Sequence, residues 1–216
     1  MSEYLRARSP EQKAERMDAI MDATEALFRE LPYHEINMGL IAKELGWSRS
    51  NLYKYAATRE EIFLELHSRA NRALIDDLVQ ALSDAPVEDA AFARRVAVAF
   101  NKHPEYLNYQ DILISIIESN ASLDRLVAFK RAFAEMSKPL MDILQRQTSA
   151  SGAEAHDLYL RLIYQAPGLY HHFHCAERTR EAMRLAGMPP ITGDFEEAFA
   201  GFVEMCLRAA RQKAEG

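Results

Sequence analysis

Arg49, Ser50 and Asn51 stand together directly after Ser48, and Tyr53, Lys54 and Tyr55 follow within about one turn. These side chains suit a polyanion and the edges of nucleobases. Arginine can pair bidentately with guanine, and asparagine with adenine or a phosphate. Lysine and tyrosine can hold a phosphodiester backbone. Such groups read a duplex only when one rigid element presents them together. The neighbouring residues predict that element. Ser48 is a good N-cap, so Arg49, Ser50 and Asn51 fall in the first turn of a helix. Leu52 then points back toward a core.

A second helix is expected just upstream. Asn37 can accept from an orphan amide of its first turn. Ile41, Ala42 and Leu45 share one stripe, and Gly46 sits where a left-handed residue ends a helix. Trp47 can plug the corner between the two helices. Thr58 with Glu61 reads as a capping box that opens a third helix. A short helix, a glycine turn and a second short helix make a helix-turn-helix, whose second helix enters the major groove. The candidate DNA-contacting residues are Asn37, Gly39, Trp47, Ser48, Arg49, Ser50, Asn51, Tyr53, Lys54, Tyr55 and Arg59. Of these, Arg49, Ser50 and Asn51 are expected to face bases. Tyr53, Lys54, Tyr55 and Arg59 are expected to face phosphates.

Residues 16–63 resemble the N-terminal domain of the tetracycline-repressor (TetR) family of transcriptional regulators. Arg16, Ile20, Ala23, Leu27 and Phe28 match that family's first helix. Ile41, Ala42 and Gly46 match its second, Leu52 and Tyr53 its recognition helix, and Arg59, Glu60 and Glu61 the start of its fourth. Three features depart from the pattern: Pro32, where glycine is common; Asn37, where threonine is common; and Tyr55-Ala56, where an aromatic pair is usual. The resemblance implies an all-α fold. An N-terminal three-helix helix-turn-helix domain (1–58) would join a C-terminal helical domain (59–216) for ligand binding and dimerisation. It also implies a homodimer on a palindromic double-stranded operator, and a small-molecule effector.

Composition agrees. The chain has 216 residues, 49% of them hydrophobic, enough for a sizeable core. Eight glycines, eight prolines and no alternating β-branched run argue against sheet. Two cysteines, Cys175 and Cys206, are too few for a disulfide framework and suit a reducing cytoplasm. The polar, charged beginning does not read as a signal peptide. No apolar run reaches the roughly 18 residues that a membrane span needs. The net charge is −6, but it is unevenly spread. Through Arg59 there are nine basic and nine acidic residues, so the acidic excess lies entirely beyond. Over 36–59, Lys43, Arg49, Lys54 and Arg59 face Glu44 alone, and phosphate affinity follows that local balance.

Ser9, Pro10 and Gln12 predict the start of a first helix, with Met17, Ile20, Met21, Leu27 and Phe28 on its packing stripe. Before it, Arg6 and Arg8 lie on an arm that could touch DNA. Downstream, helices are expected over 58–82, 87–102, 104–117, 122–147, 153–184 and 194–212. Pro139 is expected to kink or split the fourth of these, and Pro167-Gly168 to kink the fifth. The 104–119 stretch is apolar nearly all round and is expected to be buried. With the residues facing it, it suggests a pocket for a small apolar or aromatic effector. The candidate lining is Tyr106, Tyr109, Leu113, Ile117, Phe129, Phe133, Met136, Tyr164 and Gln165. Leu158, Leu162, Ala166, Leu169, Phe195, Phe199 and Phe202 form stripes on the last two helices and are the candidate dimer interface.

Other classes are less well supported. No phosphate loop, nucleophile elbow or catalytic carboxylate pair is present, so no enzyme and no cofactor are expected. His171, His174 and Cys175 have helical spacing for a transition metal, but no ligand from a second element is anchored nearby. A metal-responsive regulator is therefore an alternative, and no metal site is expected. A helical protein-interaction adaptor is a further alternative, disfavoured by the basic segment 48–54.

Overall fold

The computed structural model describes residues 10–214, and the described residues contain no strand. The expected arm with Arg6 and Arg8, and the Ser9 cap, lie outside them. The helices are α1 (Pro10–Glu30), α2 (Met38–Glu44), α3 (Arg49–Leu52), α4 (Arg59–Ala81), α5 (Asp89–Asn101), α6 (Pro104–Ile112), α7 (Glu118–Asn120), α8 (Leu123–Thr148), α9 (Gly152–Phe173), α10 (Glu177–Leu185) and α11 (Phe195–Ala214). A 3₁₀ turn, Tyr33–Glu35, links α1 to α2, and a π turn, Leu113–Ile117, links α6 to α7. No described helix is long and apolar enough to cross a membrane.

The chain forms two compact units. One is Met1–Ser68 with Leu113–Lys130; the other is Arg69–Ile112 with Arg131–Gly216. In the first, Ile20 and Met21 of α1, Ile41 and Ala42 of α2, Leu52 of α3, and Ile62, Phe63 and Leu66 of α4 are buried. Phe63 meets Phe28 and Tyr33 edge-on, with ring centres 5.2 and 5.0 Å apart. Each such side chain contributes roughly 1.5–3 kcal/mol on burial. In the second unit α11 packs on α5 and α9, and α6 packs on α9. Phe100, Phe195 and Phe199 form its aromatic centre. Buried Gln147 donates to Val87 O (2.8 Å) and Asp89 Oδ1 (3.0 Å), and Arg211 donates to the same Asp89 oxygen at 2.5 Å. This joins the end of α8, the start of α5 and the end of α11.

The caps form where the residues predict them. Asn37 Oδ1 accepts from Gly39 N and Leu40 N at 3.0 and 3.1 Å. At the end of α2, Gly46 N donates to Lys43 O (3.0 Å) and Trp47 N to Ala42 O (2.8 Å), the paired bonds of a Schellman ending. Gly46 has φ 65°, the left-handed value this ending needs. Ser48 Oγ accepts from Asn51 N at 3.3 Å, and Asp194 Oδ1 from Glu197 N at 2.9 Å.

Three expectations fail. The 104–117 helix is not one α-helix: it widens into the π turn, where Ile114 is half exposed rather than buried. Asn120 Nδ2 donates to Ile116 O at 2.7 Å, satisfying a carbonyl near that end. Of the kink or split expected at Pro139, the split does not occur: α8 runs unbroken through it. Pro139 is exposed, so the missing amide bond falls on the solvent side. The 153–184 helix instead breaks after Phe173, six residues past Pro167. There the His174 ring nitrogen Nδ1 lies 2.9 Å from Tyr170 O, and Arg180 donates to Phe173 O at 2.6 Å. Tyr170 O also keeps its helical bond from His174 N (2.9 Å), so it is the Phe173 carbonyl that a side chain takes from a continuing helix.

Gly46→Ala should cost about 1–2 kcal/mol, because alanine must adopt the left-handed conformation. No atom lies within 4 Å of the added Cβ, so packing adds nothing. Urea unfolding followed by fluorescence of Trp47, the sole tryptophan, measures this. A loss well above that range would contradict the purely conformational account.

Candidate nucleic-acid interface

The α3 helix has one turn, and its two faces differ sharply. Arg49, Ser50, Tyr53 and Lys54 are exposed, whereas Leu52 and Asn51 are buried. Asn51 is 5% exposed, so it is turned away from the face that would meet bases. The sequence-based role for Asn51 is therefore corrected. It sits at the position whose amide the Ser48 cap takes, and that register points its side chain inward. Ser48 Oγ also lies 3.1 Å from Ser50 Oγ. Bonds from Tyr53 N to Arg49 O (3.0 Å) and from Tyr55 N to Leu52 O (2.9 Å) carry the turn beyond α3. Trp47 holds the corner: its ring lies 5.8 Å from that of Tyr55 and 5.2 Å from the Arg16 guanidinium of α1. Asn37, Gly39, Arg49, Tyr53 and Thr58 line an open groove across the face. The Arg49 guanidinium comes up against Gly39.

Arg59 and Glu60 line the same groove, but the Arg59 guanidinium is engaged within the unit. Its Nη1 donates to Tyr33 O at 3.1 Å and to Ile36 O, and its Nε to Glu60 Oε1 at 2.9 Å. The guanidinium lies 4.3 Å from the centre of the Tyr33 ring, and Tyr33 donates its hydroxyl to the same Glu60 oxygen at 2.7 Å. The residue expected to face a phosphate thus also forms an internal clamp. Burial pushes the Tyr33 phenol up, and the Glu60 carboxylate pushes it further. Burial alone would raise Glu60, but the hydrogen bonds from Tyr33 and Arg59 outweigh it and hold Glu60 below the ordinary carboxylate value.

The sequence marks Glu61 only as a capping residue and gives no role to Ser122 or Arg125. The Glu61 carboxylate is buried and bridges two segments of the first unit. Its Oε2 accepts from Ala57 N at 2.9 Å, just after the recognition turn. Its Oε1 accepts from Ser122 Oγ at 3.0 Å, at the entry to α8. Arg125 adds an ion pair to Glu65 at 2.7 Å. The Thr58/Glu61 capping signal was legible, although the carboxylate serves Ala57 rather than Thr58. The long-range partner at Ser122 had no local signal.

The other predicted sites are placed as follows. In the second unit Tyr106, Tyr109 and Tyr159 are buried, Phe133 lies 5.9 Å from Tyr159, and Asn71 Nδ2 approaches Met136 Sδ at 3.3 Å. Burial pushes the Tyr159 hydroxyl up to about 12 and Tyr106 well above its ordinary value. Gln165 is partly buried, and Tyr164 is about half exposed, facing out rather than in. In the first unit Leu113, Ile117 and Phe129 are buried, with Phe129 edge-on to His67 at 5.4 Å.

Among the interface candidates, Leu158, Leu162, Ala166, Phe195 and Phe199 are buried in the unit's own core, with Leu169 and Phe202 packed against it. The stripe is real but faces inward, because α9 and α11 pack on each other and on α5 and α6. A small recess of about 40 Å³ lies between α9 and α11, lined by Glu154, Asp157, Arg161 and Cys206 among others. His171 lies 3.9 Å from Asp111, and Cys175 falls beyond the end of α9, so His171 and Cys175 share no helical face. Among the described residues, no three His, Cys, Asp or Glu side chains converge as a metal site.

Arg59→Met keeps an apolar stem near Tyr33 but removes every donor, and should cost about 2 kcal/mol. Because the folded pKa of Glu60 is lowered, its contribution is present above the ordinary value of 4.5 and is lost as pH falls. The gap between wild type and variant in urea unfolding should therefore narrow as pH drops below 4.5. A negligible, pH-independent gap would show that the clamp contributes nothing.

Residues 20–66 match the model of the bacterial regulatory proteins of the tetR family, and residues 68–214 the tetracyclin repressor-like C-terminal domain. Over 83 residues the chain is 35% identical to an uncharacterized HTH-type transcriptional regulator of Mycobacterium tuberculosis. That match covers 38% of this chain and 40% of the relative, so it spans only part of that protein's length. Among solved structures, PfmR of Thermus thermophilus, a TetR family transcriptional regulator, is 18% identical, covers 88% of this chain and 97% of its own, and has a TM-score of 0.52. AmtR of Mycobacterium smegmatis is 18% identical, covers 94% of this chain and 89% of its own, and has a TM-score of 0.50. At that identity the likeness is one of fold. The two family models together take in nearly all the described residues, and the chain belongs to the TetR family of bacterial transcriptional regulators.

Proposed function

We propose that this protein is a sequence-specific DNA-binding regulator, acting as a homodimeric repressor on a palindromic operator. The observation that carries the reading is the division of α3 and the turn that continues it: Arg49, Ser50, Tyr53 and Lys54 outward, Asn51 and Leu52 inward. Arg49 and Ser50 read base edges in the major groove, while Tyr53 and Lys54 hold phosphates. One four-residue helix spans few base pairs, and a two-fold dimer doubles the site. In this reading residues 1–58 bind DNA, and residues 59–216 dimerise and take an effector. The dimer contact uses the outward side of α9 and α11, where Tyr164 and Met205 are exposed, rather than the buried stripe.

The effector is a small apolar or aromatic molecule held by the body. Tyr106, Tyr109, Phe133 and Met136 support that chemistry, because aromatic rings and thioethers adapt to apolar guests. It releases the operator only if it binds the DNA-incompetent conformation better.

Selection of the full chain against a randomised duplex library tests the proposal. The expected product is a palindrome with half-sites about one helical turn apart, roughly 10 base pairs. One duplex should bind two subunits, and a panel of apolar and aromatic small molecules should contain one that releases it. No enriched sequence, or a single unrepeated half-site bound by one subunit, would refute the dimeric reader.

A further inference from the structure

We infer that Gly39 determines specificity: its bare Cα seats the Arg49 guanidinium and so fixes which base edge Arg49 reads. This rests on the DNA-binding reading above and adds a positioning residue on a different helix.

A Cβ placed at residue 39 would lie 2.3 Å from Arg49 Nη2 and 2.9 Å from both Cζ and Nε. Three atoms of the guanidinium group thus occupy the space a side chain would fill. The contact joins α2 to α3, and no other glycine of the described chain meets an atom this closely. Gly39 has no unusual backbone angle and sits inside a helix, where alanine is the better helix former. Backbone geometry therefore gives no reason for glycine here, and the packing of Arg49 does.

The consequence concerns orientation. Bidentate recognition of guanine needs the guanidinium plane fixed against the base edge. An arginine on an exposed one-turn helix has many rotamers to lose on binding. A seat against Gly39 removes part of that freedom before DNA arrives. The atoms that would clash are the far end of a flexible side chain rather than backbone. A substitution at Gly39 should therefore move the guanidinium and leave the fold intact.

Selection from randomised duplex with wild type, Gly39→Ala, Gly39→Ser, Arg49→Ala and the Gly39→Ala/Arg49→Ala double variant tests this. Gly39→Ala and Arg49→Ala should lose preference at the same base pair of each half-site, about tenfold or more, and retain it elsewhere. Gly39→Ser should lose preference there too. The double variant should be no worse than Arg49→Ala alone, and the melting temperature of Gly39→Ala should not fall. Unchanged preference in both Gly39 variants, loss at other base pairs, or additive losses in the double variant would overturn the inference. A wild type that enriches nothing would instead overturn the DNA-binding reading on which it stands.

Discussion

The guanidinium of Arg59 sets the frame from which the helix-turn-helix projects. It closes on Tyr33 O and Ile36 O, on the Tyr33 ring and on Glu60, and so ties the link between α1 and α2 to the first turn of α4. Both ends of the α2–α3 pair are then anchored on α4: one through Ile36, the other through the short chain from Ala56 to Arg59. Two carbonyls and one carboxylate accept from its Nη1 and Nε, and the Tyr33 ring lies against the guanidinium. The turn between α2 and α3 needs no further support than Gly46, whose left-handed angle turns the chain, and Trp47, which fills the corner.

The same first unit contains a second polar junction. Glu61 holds Ala57 N with one carboxylate oxygen and Ser122 Oγ with the other. The turn that leaves α3 and the entry to α8 therefore share a single buried anion. Arg125 strengthens the junction through Glu65, and Phe129 against His67 extends it as a ring contact. A displacement of the α8 entry must be accommodated at Ala57, four residues after Tyr53. Residues 113–130 thus belong mechanically with the DNA-binding head, although they are distant from it in sequence.

Local chemistry made part of this legible from the sequence. Asn37, Gly46 and Ser48 act on amides and carbonyls within a few residues, so their types and spacing predicted the helix ends. Contacts over long sequence distances were not legible. Arg59 reads as a solvent-facing cation until Tyr33, 26 residues earlier, is folded against it. Asn51 reads as a base contact until the short α3 fixes which side is inward. The α9 and α11 stripes have the period of a buried face, but period alone does not separate a subunit's own core from a partner's. The π turn at Leu113–Ile117 and the break at His174 depend on which side chains reach particular carbonyls, and the apolar pattern carries no such information.

The placement of α3 in the major groove is tested most directly by methylation interference on the selected duplex. Methyl groups at guanine N7 project into the major groove, and those at adenine N3 into the minor groove. The account predicts that guanine N7 methylation within each half-site blocks binding, while adenine N3 methylation there leaves it unchanged. Interference confined to adenine N3, with every guanine N7 tolerated, would contradict it.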